Sequence, residues 1–314
     1  MTSLRDRRGV ALMLVLWLIV VLAAVAAVVV STVRRQSEIV VNLRTQAQAR
    51  YAAESGVVVA LEELRAAFAA AQTTDDLVRV FPTVLDRLAR LGEQPLGEAR
   101  YQVTIVDLNG RIDLNSADEG TLVTFFGSFV GEGRARQLAD ALQDWRDRDA
   151  VPRPQGAEAD AYARAGSPFT PPNRPLRRLE ELTRIAGFTE ATTDAIAPYV
   201  TVWGDGRLNV NTAPERVLSA FPGIGASGAS MLIGARGSGA ISSITSASER
   251  LSAGGAGGVV PPLTGVPQRV LVVSRGWVEG SPLTHESQVV VQLQGTVAGR
   301  VPDTFVMAWE ERGR

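Results

Sequence analysis

Residues 7–35 read RRGVALMLVLWLIVVLAAVAAVVVSTVRR, and the fold turns on how this stretch is understood. Val10 to Val30 carries no charge, no glycine and no proline. As a helix of about 21 residues rising roughly 1.5 Å each it is about 30 Å long, the thickness of a bilayer's hydrocarbon core. Arg5, Arg7 and Arg8 precede it and Arg34 and Arg35 follow it, a small bias toward a cytoplasmic N-terminus. The alternative is a cleaved secretory signal with small residues at Ala24–Ala27, but such apolar cores usually run only about 7 to 15 residues. The sequence beyond Arg35 favours a longer element. Apolar side chains recur at Val40, Leu43, Ala47, Tyr51, Val58, Leu61 and Leu64, at helical spacing, and no proline occurs from 10 to 81. Membrane helix and amphipathic helix therefore read as one rod of about 60 residues, about 90 Å long.

A basic leader ending in glycine (MTSLRDRRG, 1–9), then an apolar helix continuing into AAESGVVVAL (52–61), resembles a type IV prepilin or a type II secretion pseudopilin. The resemblance implies cleavage between Gly9 and Val10 by a prepilin peptidase. Most such proteins have glutamate at the fifth mature position, where this chain has Leu14. The minor pseudopilin K class of the type II secretion system lacks that glutamate, and RRGVALMLVLWLIV (7–20) is similar to its leader junction. Without the carboxylate the subunit cannot pair with a neighbour's N-terminal amine in the bilayer, which suits a tip position.

In YQVTIVDLNGRIDLN (101–115) apolar residues alternate around Asn109-Gly110, which predicts two strands joined by a tight hairpin. Ser116 and Glu119 have capping-box spacing, predicting a helix start at Ser116. Sliding the sequence by 96 residues lays GRIDLNSADEGTLVTF (110–125) over GRLNVNTAPERVLSAF (206–221), pairing Asn115 with Asn211, Ser116 with Thr212 and Glu119 with Glu215. Both copies read as a strand ending at asparagine, a hydroxyl cap, and a helix whose Leu122 or Leu218 enters a core. Between them, ARQLADALQDWRDRD (135–149) has an apolar stripe at Leu138, Ala141, Leu142 and Trp145, and 176–188 and 189–200 also read as helices. The proline-rich connector 151–175 reads as a loop without regular structure.

The acidic residues around that connector, Asp144, Asp147, Asp149, Glu158 and Asp160, are the metal-ligand candidates. They are hard oxygen donors around a turn, which suits calcium with its six to eight oxygen ligands. Acidic residues beside a loop are also commonly just solvated, and their spacing is not that of an EF-hand. The blocks DWRDRD and GAEADAY followed by PPNRPLRRLEEL, and later NVNTAPERVLSAFPGI, resemble pseudopilin K in that family's order. The resemblance implies a calcium-binding subunit.

Residues 237–265 read as a Gly/Ser-rich linker with a short helix, and its Gly254–Gly258 run as flexible chain, since it lacks the ending of a phosphate-binding loop. RVLVVSRGWVEG (269–280), ESQVVVQLQG (286–295) and DTFVMAWEE (303–311) read as antiparallel strands returning to the sheet begun at Tyr101. The 314-residue chain has no cysteine and one histidine, His285, read as a surface residue, so thiolate chemistry, disulfides and multi-histidine metal sites are excluded. A catalytic reading would have to rest on paired acids such as Asp147 and Asp149, and the chain reads as no enzyme. PGIG (222–225) before a helix is one way of holding a nucleic-acid phosphate, as in a membrane-tethered DNA-uptake protein. But net charge is −1 and the next helix brings only Arg236, so no nucleic-acid partner is expected.

The expected fold is therefore α+β: a long N-terminal transmembrane and amphipathic pilin helix, an antiparallel pilin-like sheet, and a large mostly helical insertion. Its parts are a leader at 1–9, the pilin helix at 10–70 with 10–30 in the membrane, and the start of an α/β domain at 71–115. The insertion at 116–250, a Gly/Pro-rich linker at 251–266 and C-terminal strands at 267–314 follow. Expected partners, by the resemblance, are the minor pseudopilins I and J, the prepilin peptidase and the bacterial inner membrane. The globular part would lie in the periplasm, contact with exported proteins is left open, and a minor pilin of a surface type IV pilus is the neighbouring reading.

Overall fold

The computed structural model describes residues 4–71, 73–253, 258, 260–293 and 304–313. Helix α1 runs unbroken from Leu4 to Ala70. Its apolar window has a mean hydropathy of 3.2 and none of it is buried, which makes α1 long and apolar enough to cross a membrane. The buried face begins at Ala49 and continues through Ala52, Ala53, Val57, Ala60, Leu64 and Phe68. The apolar stripe read from the sequence overlaps this face only at its end: Leu64 is buried and Leu61 packs against the core, while Val40, Leu43, Tyr51 and Val58 are exposed. The helix packs its small side chains against the sheet because the two approach so closely. A Cβ on Gly276 would lie 2.0 Å from the Ala49 carbonyl oxygen, and one on Gly56 would lie 2.2 Å from Ser274 Oγ. Helix α2 (Thr74–Leu91) follows, its first turn closed by a capping box between Thr73 and Asp76. Strands β1 (Glu93–Leu96) and β2 (Ala99–Asp107) come next and pair antiparallel.

At Asp107 the chain leaves the sheet. Leu108–Gly110 forms a 3-10 turn, so the expected hairpin at Asn109-Gly110 does not exist. Neither residue adopts the positive φ such a turn requires. The Asn109 side chain instead donates to Asp205 Oδ1 (2.7 Å) and accepts the Gln268 and Arg269 amides (2.7 and 2.9 Å), tying three distant segments together. Strand β3 (Ile112–Asp113) leads to α3 (Glu119–Val130), α4 (Glu132–Arg146), α5 (Ala159–Arg164), a 3-10 helix at Leu179–Arg184, α6 (Glu190–Ile196) and β4 (Val200–Thr201). Strand β5 (Leu208–Asn209), α7 (Glu215–Ala220), α8 (Gly225–Gly237), α9 (Ile244–Ala253) and β6 (Leu263–Thr264) complete the insertion. The connector thus holds one helix, α5. The expected helix at 176–188 is a 3-10 turn, and of Gly254–Gly258 only Gly258 lies among the described residues. The caps also differ. Asp118, not Ser116, caps α3 through the Thr121 amide, and Pro214 precedes α7, leaving the Ser116 and Thr212 hydroxyls free to bind carboxylates.

The two copies seen in the sequence are two turns of one architecture. β3 pairs parallel with β4, and β5 pairs parallel with β6. Asn115 donates to the Leu176 and Val202 carbonyls (2.9 Å each) and accepts the Leu176 amide (2.8 Å). Asn211 does the same to the Ile241 and Gly265 carbonyls and the Ile241 amide (3.0, 2.8 and 2.7 Å). Arg146 donates to the carbonyls of Leu114 and Ala117, and Arg236 to those of Val210 and Ala213. One core serves both copies: Ile112, Leu122, Phe125, Phe126, Leu142 and Trp145 join Leu208, Val217, Leu218, Leu232 and Leu251.

Strands β7 (Arg269–Val278), β8 (Thr284–Leu293) and β9 (Thr304–Gly313) close an antiparallel sheet in the order β1-β2-β7-β8-β9. A second core lies between this sheet and α1 and α2, where Leu64, Phe68, Phe81 and Leu88 meet Val103, Ile105, Val272, Val289 and Val291. His285 belongs to the helix-facing row of β8 and is buried, not on the surface. Its Nε2 lies 3.7 Å from a Glu311 carboxylate oxygen, because alternation from Val289 and Ser287 carries that position inward.

Candidate functional site

The acidic loop between α4 and α5 is built from the end of a helix outward. Asp140 and Asp144, four apart, lie on one buried face of α4. Both are used to shape the loop. Asp140 Oδ2 accepts the Gln155 amide (3.0 Å), and Asp144 accepts the Arg153 amide on both oxygens (3.3 and 3.2 Å). Residue 156 must be glycine for this to happen, since a Cβ there would stand 1.9 Å from Asp144 Oδ2.

The loop thus folded brings Asp147, Asp149 and Glu158 together, each offering an oxygen within 4.8 Å of the others. Asp147 Oδ1 and Glu158 Oε1 are buried and have no hydrogen-bond partner. Unpaired buried anionic oxygens are costly. Burial raises the pKa of Asp147, helped by Asp149, and burial raises that of Glu158, helped by Asp144, Asp147 and Asp149. Asp144 is raised too, first by burial. Three converging carboxylates, two of them with an orphaned oxygen, fit a hard cation, and calcium among them. Of the five residues expected from the sequence, Asp144 serves the loop backbone, and Asp160 stands exposed in the first turn of α5 outside the group. Two residues were not foreseen: Gly156, and Asn173, whose amide donates to the Asp149 carbonyl while its own Oδ1 is buried without a partner. Asn173 has φ of 47°, a left-handed conformation that asparagine tolerates and a sequence pattern does not display.

The other motifs have different uses. In PGIG the helix α8 does start at Gly225, but Arg236, the one cation of that helix, spends its guanidinium on Val210 and Ala213 carbonyls. Gly9 and Val10 lie within α1, and nothing of their side chains falls among the described residues.

Known proteins share this region. Residues 123–205, which hold the acidic loop, match the family described as type II secretion system (T2SS), protein K. Type II secretion system protein K of Klebsiella pneumoniae is 38% identical over 78 residues, 25% of this chain and 24% of that protein. The Pseudomonas aeruginosa protein of the same name is 36% identical over 102 residues, 32% of this chain and 30% of that one. The alignments thus span about a quarter to a third of those relatives' length. The fold extends further. One polypeptide of the crystal structure of the GspK-GspI-GspJ complex from the enterotoxigenic Escherichia coli type 2 secretion system superposes with a TM-score of 0.61 at 17% identity, covering 89% of this chain and 99% of that one. The resemblance read from DWRDRD, GAEADAY and PPNRPLRRLEEL is borne out: these blocks lie within residues 123–205, the stretch that is similar to type II secretion system protein K.

Proposed function

We propose that the chain is a minor pseudopilin of a type II protein secretion system, a structural subunit and not an enzyme, that caps the tip of the periplasmic pseudopilus. The observation that carries this reading is the continuity of α1. An apolar helix able to cross a membrane runs without a break into close contact with an antiparallel sheet, and the helical insertion between β2 and β7 broadens the head. A broad head is hard to stack beneath another subunit, which favours a terminal position. Leu14 in place of a membrane carboxylate points the same way.

On this reading the protein is stored in the inner membrane with its N-terminus in the cytoplasm and its globular part in the periplasm. The prepilin peptidase cuts between Gly9 and Val10, and the freed helix packs among those of partners equivalent to the I and J pseudopilins. Asp147, Asp149 and Glu158 would hold a calcium ion that neutralises their mutual repulsion and fastens the loop to α4.

The test is the intact mass and N-terminal residue of the membrane-extracted protein, made with and without the peptidase. A methylated chain starting at Val10 only when the peptidase is present is expected. A chain starting near Val28 would mean secretory cleavage and would sink the reading. A Gly9 variant with a bulky residue should stay unprocessed and fail to support secretion.

A further inference from the structure

Where the sheet meets the helical insertion, on the face of the sheet away from α1, there is a cavity of about 270 Å³. Leu271, Val290 and Ala308 wall it from the sheet, and Val200, Val202 and Trp203 from the insertion. Its charged residues are of unequal number: three arginines, Arg111, Arg178 and Arg312, against two glutamates, Glu180 and Glu310.

The rim neutralises itself. Arg178 pairs with Glu310 (3.0 Å), and Arg312 pairs with Glu180 (2.5 Å) and Glu310 (3.5 Å). Arg111 is left over. It is half-buried, and among the described residues it makes no side-chain hydrogen bond or ion pair. The carboxylate that influences it most, Asp107, is not within ion-pair distance and spends its oxygens on Asn109, Asn209 and Thr212. A half-buried guanidinium without a protein partner is free to take one, and its fork suits a carboxylate above other partners. The remaining wall is mostly aliphatic, with one indole and two polar residues, Thr201 and Gln288, so the body of the ligand must be largely apolar, and the volume admits only a small one.

We propose that this cavity binds a carboxylate borne on a small apolar group, with Arg111 as the anion partner. A polypeptide C-terminus ending in an aliphatic residue and a free small carboxylic acid share that chemistry. The site is independent of the acidic loop and of the pseudopilin reading.

The experiment uses the full-length protein in a neutral detergent. N-acetyl-leucine and its neutral isostere N-acetyl-leucinamide are titrated by saturation-transfer NMR, with the change in tryptophan emission that is lost in Trp203→Phe reporting on Trp203. A tetrapeptide ending in leucine is compared in its free-acid and amidated forms. Preference for acid over amide of at least about tenfold is expected, and whichever pair shows the larger preference identifies the source. Arg111→Gln should abolish the preference and Arg111→Lys should keep part of it. Equal binding of acid and amide, no binding of either, or a preference unchanged in R111Q would overturn the proposal. The acid-against-amide comparison needs no variant, so a folding defect in R111Q leaves the test intact.

Discussion

The two asparagine-anchored copies of the insertion use the same frame and close it over loops of different length. Asn115 reaches a backbone partner 61 residues ahead, and Asn211 reaches its equivalent 30 ahead. The extra length in the first copy is where the acidic loop and α5 lie. The copies also differ in where their carboxylate comes from. In the first, Asp113 accepts the Asn115 amide and the Ser116 hydroxyl locally. In the second, Asn209 takes the place of Asp113, and the carboxylate facing Thr212 is Asp107 at the end of β2. So the second copy borrows its carboxylate from the sheet, whereas the first supplies its own and meets the sheet through Arg269, which donates to the Trp203 and Gly204 carbonyls, and through the Arg178–Glu310 and Arg312–Glu180 pairs.

If the asparagines are equivalent anchors, replacing either should cost the same. Asn115→Leu and Asn211→Leu each leave two carbonyls and one amide without their partner in a half-buried setting. At about 1–3 kcal/mol for each orphaned group, less what water recovers, each variant should lose about 3–5 kcal/mol. Urea unfolding of the full chain in neutral detergent measures this. A loss confined to Asn211 would show that the first loop is held by other means, and the equivalence would fail.

The next effect separates the copies by pH. Burial pushes Asp107 up to about 6, against the opposing hydrogen bonds from Thr212, Asn109 and Asn209. A carboxyl whose folded pKa is raised binds its proton more tightly in the folded than in the unfolded chain. Its contribution to stability is therefore fully present below about 4 and is lost as pH rises through about 6. With roughly 1.4 kcal/mol per unit, the expected swing is about 3 kcal/mol. Wild type should gain that much on Asp107→Asn between pH 7 and pH 4, measured as the difference of their unfolding free energies. A flat difference would mean that the three donors hold Asp107 at its ordinary pKa.

How much of this could be read in the chain depends on how local each feature is. The apolar run at 10–30, the stripe through Leu138, Leu142 and Trp145, and the alternating residues of β7 and β8 are local patterns, and they carry the α+β architecture. The repeat of Asn115 at Asn211 was visible, but what those side chains hold was not, because their partners lie tens of residues ahead. For the same reason Asn109-Gly110 looked like a turn and proved to be a junction. Which face of α1 is buried is set by closeness to the sheet and not by hydrophobicity, so the apolar stripe does not display it. Ala49, Ala52, Ala53 and Gly56 face the sheet because larger residues would not fit, while Tyr51 and Val58 remain outside. In the acidic loop, composition selected Asp147, Asp149 and Glu158, but it could not separate them from Asp144, which binds backbone, or from Asp160, which faces solvent.

The smallest of the expected effects bears on that loop. If Asp147, Asp149 and Glu158 hold calcium, the ion should stabilise the folded chain by about 2.7 kcal/mol at a hundred times its dissociation constant, and a chelator should remove that gain. The gain must vanish in Asp147→Asn and in Glu158→Gln, whose buried oxygens are the ones without partners, and survive in Asp160→Asn, which stands apart. Magnesium should serve poorly, since a loop-borne site of carboxylates suits the larger and less geometrically demanding ion. Hydrogen exchange would then locate the effect. Amides of 147–175 should slow on adding calcium while those of α8 and α9 in the second copy do not change, because the shared frame is already closed by its asparagines and arginines. Protection spread equally over both copies would mean that the ion tightens the common core, and that the extra length of the first loop has some other purpose.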